Sequence, residues 1–398
     1  MKKNRARIFI CFSIIYTITI YTVTALEITV PKFNFGISGA KQPESSSQFS
    51  IVQESSINFR LLHGERFYSD LNLALYVPDV LRFFHPQEQE RTPGQFTFID
   101  FSLNFPNLGG KPLILSIFTG QHQSLTGAHY SFDFLKHGIR PVKMYENDSA
   151  ALFTPPHPRE AVGISFAGLT SNTGYFGSSF SWNGRIKKTE QEYGIYAQGG
   201  AFSNIALTNT YFSFHITDNA TKISGAASVS VLFIPHNNVG IFTQFGLHKT
   251  NFRSPTLKQD VIGNIYAFFE PRIALEHVNF DFTFFVSKIR NPQDNGFFPV
   301  SPLIKPFNIV YNELYGGANI FFGFGNMELD KMQGGFHSFV AMPATRPVNI
   351  PSLLIALTPF YTLNIGPCDI DIRCSVYPLL YTAPASMFEG KIALKRNL

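Results

Sequence analysis

From about Ile28 onward, apolar and polar residues alternate in short stretches, many with Phe on one parity. In Val278–Ser287, Val278, Phe280, Phe282, Phe284 and Val286 share one parity, and Asn279, Asp281, Thr283 and Ser287 share the other, with Phe285 the exception. Side chains of an extended chain point alternately to opposite faces, so this stretch predicts a strand with one oily and one wet wall. A soluble sandwich would cover the oily wall with a second sheet. A membrane barrel would turn it to lipid and keep the wet wall inside.

The same rhythm sets Phe33, Phe35 and Ile37 against Lys32, Asn34 and Gly36, and Leu71, Leu73 and Leu75 of Ser69–Tyr76 against Asp70, Asn72 and Ala74. It returns in Ile99–Phe105 and in Thr208–Thr217, where Phe212, Phe214 and Ile216 oppose Asn209, Tyr211, Ser213 and His215. Further segments are Leu113–Gly120, Tyr130–Leu135, Gly163–Leu169, Gly174–Asn183, Glu192–Phe202, Gly225–Ile234 and Gly240–Lys249. After these come Val261–Phe269, Gly316–Gly325, Gly334–Met342, Leu353–Ile365, Cys368–Val376 and Phe388–Leu398. Turn chemistry marks Asn107-Leu108-Gly109-Gly110, Pro235-His236-Asn237-Asn238 and Gly366-Pro367. Longer loops are expected at Lys41–Ser56, Pro78–Gln95, Lys136–Glu160, Thr250–Gln259, Arg290–Phe307 and Asn326–Gln333. The pattern predicts an all-β fold, an antiparallel up-and-down barrel of about 14–18 strands, wide enough for an aqueous channel at the upper end.

The N-terminus follows another logic. Lys2, Lys3, Arg5 and Arg7 precede an apolar run, Ile8–Val23, which ends in the small residues of Val23-Thr24-Ala25. That is the layout of a cleavable signal peptide over residues 1–25, leaving 26–398 as one barrel domain. The rival, an uncleaved anchor, would need about 20 spanning residues. The chain has 32 Lys+Arg and 27 Asp+Glu; residues 1–25 hold four of the bases and no acid, so the remainder is nearly neutral. No basic cluster resembles a nucleic-acid footprint. Beyond the signal no apolar run reaches the length of a spanning helix. Charged residues are only 15% and aromatics 15%, with 43 Phe. Soluble domains carry about 25% charged residues, so much of this surface is expected to lie in lipid.

Cys368 and Cys374 share a parity within one predicted strand. They would lie about 20 Å apart, too far for a disulfide. Two thiols without a neighbouring His give no metal site, and no cofactor motif is present. The sequons at Asn147 and Asn219 are short enough to arise by chance.

In the last segment Phe388, Ile392, Leu394 and Leu398 share one parity, opposite Glu389, Lys391, Lys395 and Asn397; Gly390 and Arg396 interrupt the oily face. A strand running to the final residue resembles the C-terminal assembly signal of bacterial outer-membrane β-barrels, which usually end in an aromatic where this chain has Leu398. The resemblance is to the broad porin-like class over residues 28–398. It implies export, insertion by the outer-membrane assembly machinery among outer-membrane lipid, and a porin or uptake role.

Asp70, Asp100, Asp281, Asp371, Arg373, Glu389, Lys391 and Lys395 fall on wet faces and are the candidate pore-lining residues. Mixed charges along a channel would tune which small solutes pass. No catalytic residue is assigned. Ser213 and His215 lie two apart on one wet face, about 7 Å between Cβ atoms, with no orienting carboxylate legible. The expectation is a passive or selective small-solute channel without enzymatic activity. The alternatives are a closed structural or surface-binding, adhesin-like barrel, a lipid-acting barrel enzyme, and a secreted soluble β-protein.

Overall fold

A computed structural model describes residues 26–41, 49–63, 67–77, 79–80, 94–120, 161–171, 173–184, 191–203, 205–217, 222–236, 238–275, 277–288, 313–325, 332–344, 353–365, 368–381 and 386–397. The expected signal peptide, the Tyr130–Leu135 strand, the Lys136–Glu160 loop, both sequons and Leu398 lie outside these residues.

Eighteen strands form one closed antiparallel sheet in which sequence neighbours pair and the last strand pairs with the first. They are β1 Leu26–Lys41, β2 Phe49–His63, β3 Phe67–Val77, β4 Gln95–Phe105, β5 Leu113–Gly120 and β6 Val162–Ser171. Then follow β7 Gly174–Gly184, β8 Gln191–Phe202, β9 Ala206–Thr217, β10 Ile223–His236, β11 Val239–Asn251 and β12 Ile265–Ala274. The ring closes with β13 Val278–Lys288, β14 Leu314–Gly325, β15 Met332–Pro343, β16 Leu354–Ile365, β17 Cys368–Val376 and β18 Phe388–Asn397. Closure removes both sheet edges, so every strand has a partner on each side.

Alternation decides what each wall faces. In β13 Phe284 and Val286 are 50% and 44% exposed, while Asp281 and Thr283 are 4% and 1% exposed. Phe212, Phe245, Phe269, Phe336 and Ile392 are likewise exposed on the outward parity. No protein layer covers the oily wall among the described residues. Some outer aromatic rings also meet near strand ends. Phe280 and Phe322 approach to 4.8 Å and Phe322 and Phe336 to 5.5 Å at one end, and Phe180 and Tyr193 stack at 6.5 Å at the other. Contacts of this kind near both ends suit the aromatic girdles of a membrane barrel.

Connections are unequal. At the end where β1 begins and β18 finishes they span only 64–66, 106–112, 172–173, 203–205, 237–238, 275–277, 326–331 and 366–367. In the 106–112 turn Asn107, Gly109 and Gly110 take φ of 56°, 64° and 73°, the left-handed region that Gly and Asn tolerate. The opposite end carries the longer connections, including 121–161 and 289–313.

Three expectations fail. Asn326–Gln333 is not one of the longer loops: only 326–331 separates β14 from β15, at the short-turn end. Lys41–Ser56 is not a loop throughout, because β2 begins at Phe49. Its first half, with Ser50, Gln53, Glu54, Ser55 and Ser56, has too few apolar residues to show a period; pairing with β1 and β3 holds it extended. Val261–Phe269 is not one strand. Leu257–Asn264 forms a helix, α1, and β12 starts at Ile265. The cysteines are free, on one strand, with Cys374 exposed on the outer wall.

Candidate functional site

Register partners share a face, so the inward face can be followed around the ring. Asp70, Asp100, Asp281, Asp371 and Glu389 are buried on the inward parity. Arg373 and Lys391 are inward partners across β17 and β18. Lys391 lies over Gly36, whose missing Cβ would stand 3.5 Å from its Cε. Lys395 occupies an inward register position opposite Asp369 and Asn34.

These groups are organised into separate clusters. On β2–β4, Arg60 holds Asp70 by two hydrogen bonds, Nε to Oδ1 at 2.7 Å and Nη2 to Oδ2 at 3.0 Å. A separate relay of amides runs beside it: Asn58 donates to Asn72 at 2.7 Å, and Asn72 donates to Asp100 at 2.6 Å. On β12–β13, Arg272 donates from Nε to Glu270 at 2.6 Å, and Thr283 donates to the other Glu270 oxygen at 2.5 Å. The Arg272 guanidinium stands 5.3 Å from the Phe242 ring centroid, a cation–π contact. Asp281 is the register partner of Arg272. On β17–β18, Arg373 pairs with Asp371 through Nη2, and its Nε donates at 2.9 Å; Tyr377 donates to Glu389 at 2.7 Å.

Beside the charges lies an apolar inner wall toward the long-loop end. Phe268, Phe285 and Phe339 stack in sequence at 6.5 and 5.9 Å, with Tyr266, Tyr315, Leu354 and Ala356 in the same buried cluster. Phe285 reaches Phe339 across Gly317, where a Cβ would collide with the ring at 2.7 Å. The exception in the alternation of β13 is thus an inward aromatic, and the inner face is not uniformly wet.

Ser213 and His215 are both buried on the inward face of β9. The carboxylate that spacing alone does not reveal is Glu192 on β8, whose Oε1 lies 2.6 Å from His215 Nδ1 and 2.6 Å from Lys249 Nζ.

Arg60, Glu192, Glu270 and Arg272 escape the candidate set. Arg60 lies in the strand without a visible period. Glu270 and Arg272 continue the inward parity of Tyr266 and Phe268, and extending that strand past Phe269 would have found them. Glu192 shares parity with Tyr196 and Gln198, but its tie to His215 depends on pairing between strands.

No protein-family model matches this chain, and no curated protein matches it in sequence. Solved structures do. OccAB3 of Acinetobacter baumannii superposes with a TM-score of 0.56 at 8% identity, over 94% of this chain and 99% of that one. OmpF of Salmonella typhi, solved with daunomycin, gives 0.44 at 8% identity over 93% and 97%. A mutant porin of Rh. blastica gives 0.42 at 8% identity over 94% and 100%. At such identity the likeness to OccAB3 speaks for architecture alone: the chain folds as a closed antiparallel barrel of the porin type.

Proposed function

We propose that this chain forms a channel for small solutes across a bacterial outer membrane. The observation that carries the proposal is the closed ring of eighteen strands with exposed apolar side chains outside and polar and charged ones inside. An outer wall of this kind is at home in lipid, and a ring of this size is wide enough to enclose an aqueous path. The short-turn end, where β1 begins and β18 finishes, would face the periplasm and the long loops the exterior. Asp70, Asp100, Asp281, Asp371, Arg373, Glu389, Lys391 and Lys395 line the path and tune which solutes pass. Residues 1–25 direct export, and the assembly machinery inserts the barrel. The OccAB3 likeness supports the architecture this role requires.

The test is conductance in a planar bilayer. Discrete steps on adding the refolded protein are expected; a bilayer that stays silent while the protein is inserted and folded would overturn the channel. One observation favours a second role. Inward side chains such as Tyr315, Thr283 and Asn319 are almost fully buried, as in a barrel with a filled interior that serves structure or surface binding. Silent insertion is the outcome that role predicts.

A further inference from the structure

The inward charges are unequal in sign where they are most deeply buried. Among the described residues that are buried, Asp70, Asp100, Glu270, Asp281, Asp371 and Glu389 face a single buried cation, Arg272. Arg60 and Arg373 are paired but more exposed, with 37% and 13% of the side chain accessible. Two clusters each gather two carboxylates near one guanidinium: Arg60 pairs with Asp70, with Asp100 beyond them on Asn72, and Arg272 pairs with Glu270, with Asp281 its register partner. β12 follows β3 by nine places in the ring of eighteen, so the two clusters stand on opposite walls. Asp70 and Asp281 each lie three residues into their strands from the short-turn end, and Asp100 lies at the middle of its strand.

Neither cluster is complete. Arg272 gives Nε and Nη2 to Glu270, and Asp281 Oδ2 is buried without a hydrogen-bond partner among the described residues. Asp100 takes one bond from neutral Asn72. A buried carboxylate without a full partner is costly, and a cation beside it recovers part of that cost. Arg272 Nη1 also has no partner, but Glu270 already balances the charge of this guanidinium.

We propose that these two clusters make the barrel selective for cations, with Asp281 and Asp100, on opposite walls, as sites for an alkali-metal ion or an organic ammonium group. This rests on the channel role proposed above and adds the sign of the solute. Low-dielectric walls around net negative clusters focus the field and concentrate counter-ions in the path.

The test is the reversal potential of the full barrel in a bilayer between unequal KCl solutions. K+ should permeate several-fold better than Cl−. The double variant Asp100→Asn/Asp281→Asn should keep its conductance steps while the ratio falls toward unity, and Arg60→Gln should raise the ratio. Heat-modifiable gel mobility confirms folding of each variant; where Asp281→Asn fails to fold, Asp100→Asn and Arg60→Gln decide in the same way. A wild-type ratio at or below unity, or variants that leave the ratio unchanged, overturns the cation sites while leaving a channel. Absence of steps in the wild type overturns the channel and this inference with it.

Discussion

Replacing Phe284 by Arg tests what the outer wall touches. Phe284 is 50% exposed and one residue past Thr283, the midpoint of the strand Val278–Lys288. One residue is about 3.3 Å along the strand, hence about 2 Å along the membrane normal at a tilt near 45°. The apolar band of such barrels is about 25 Å tall, so Phe284 lies near its centre. Arg there is expected to cost about 2–4 kcal/mol. Phe324 is the matched control: 52% exposed, outward, and one residue from the end of the strand Leu314–Gly325. It sits about 10 Å from the midplane, where Arg costs about 0–1 kcal/mol. The same residue is lost and gained at both sites, so the difference isolates depth. Urea-dependent folding into lipid vesicles gives both values. Costs that are equal, or a Phe284→Arg cost within about 0.5 kcal/mol as at an ordinary wet surface, would refute a lipid-facing wall.

Three other outcomes follow from the interior and the outer thiol. Phe285→Ala removes the middle ring of the Phe268–Phe285–Phe339 stack and should cost about 3–5 kcal/mol in the same folding assay; a loss under about 1 kcal/mol would mean the inner wall is loosely packed. Arg272→Ala leaves Glu270 and Asp281 buried without their cation and should cost about 3–5 kcal/mol, whereas the matched double change Glu270→Gln/Arg272→Met should cost clearly less; equal losses would contradict the ion pair. Cys374, exposed on the outer wall, should react with an apolar maleimide but only slowly with a charged one in vesicles, and fast labelling by the charged reagent would place it in water.

Barrel topology is largely legible because alternation depends only on near neighbours along the chain. Ser69–Tyr76 and Val278–Ser287 each display their two walls within ten residues, and these walls carry Asp70 and Asp281. What is hidden depends on contacts distant in sequence. β2 has too few apolar residues in its first half and is fixed by pairing with β1 and β3. Leu257–Asn264 has no strong apolar face, so nothing separated its helix from the strand that follows. The guanidinium beside Asp70 and the one beside Asp281 come from neighbouring strands, as register dictates. The inward aromatic wall appeared in the sequence only as the misfit of Phe285; the glycine that makes room for it, Gly317, belongs to another strand.

The chain has one tryptophan, Trp182, exposed on the outer wall near the long-loop end of β7. Its fluorescence in vesicles made with brominated phospholipids therefore reports on a single defined place. A bilayer-embedded barrel should show strong quenching, greatest for bromines near the headgroup end of the acyl chain, together with protection from aqueous iodide. Free access of iodide with no effect of the brominated lipids would contradict it.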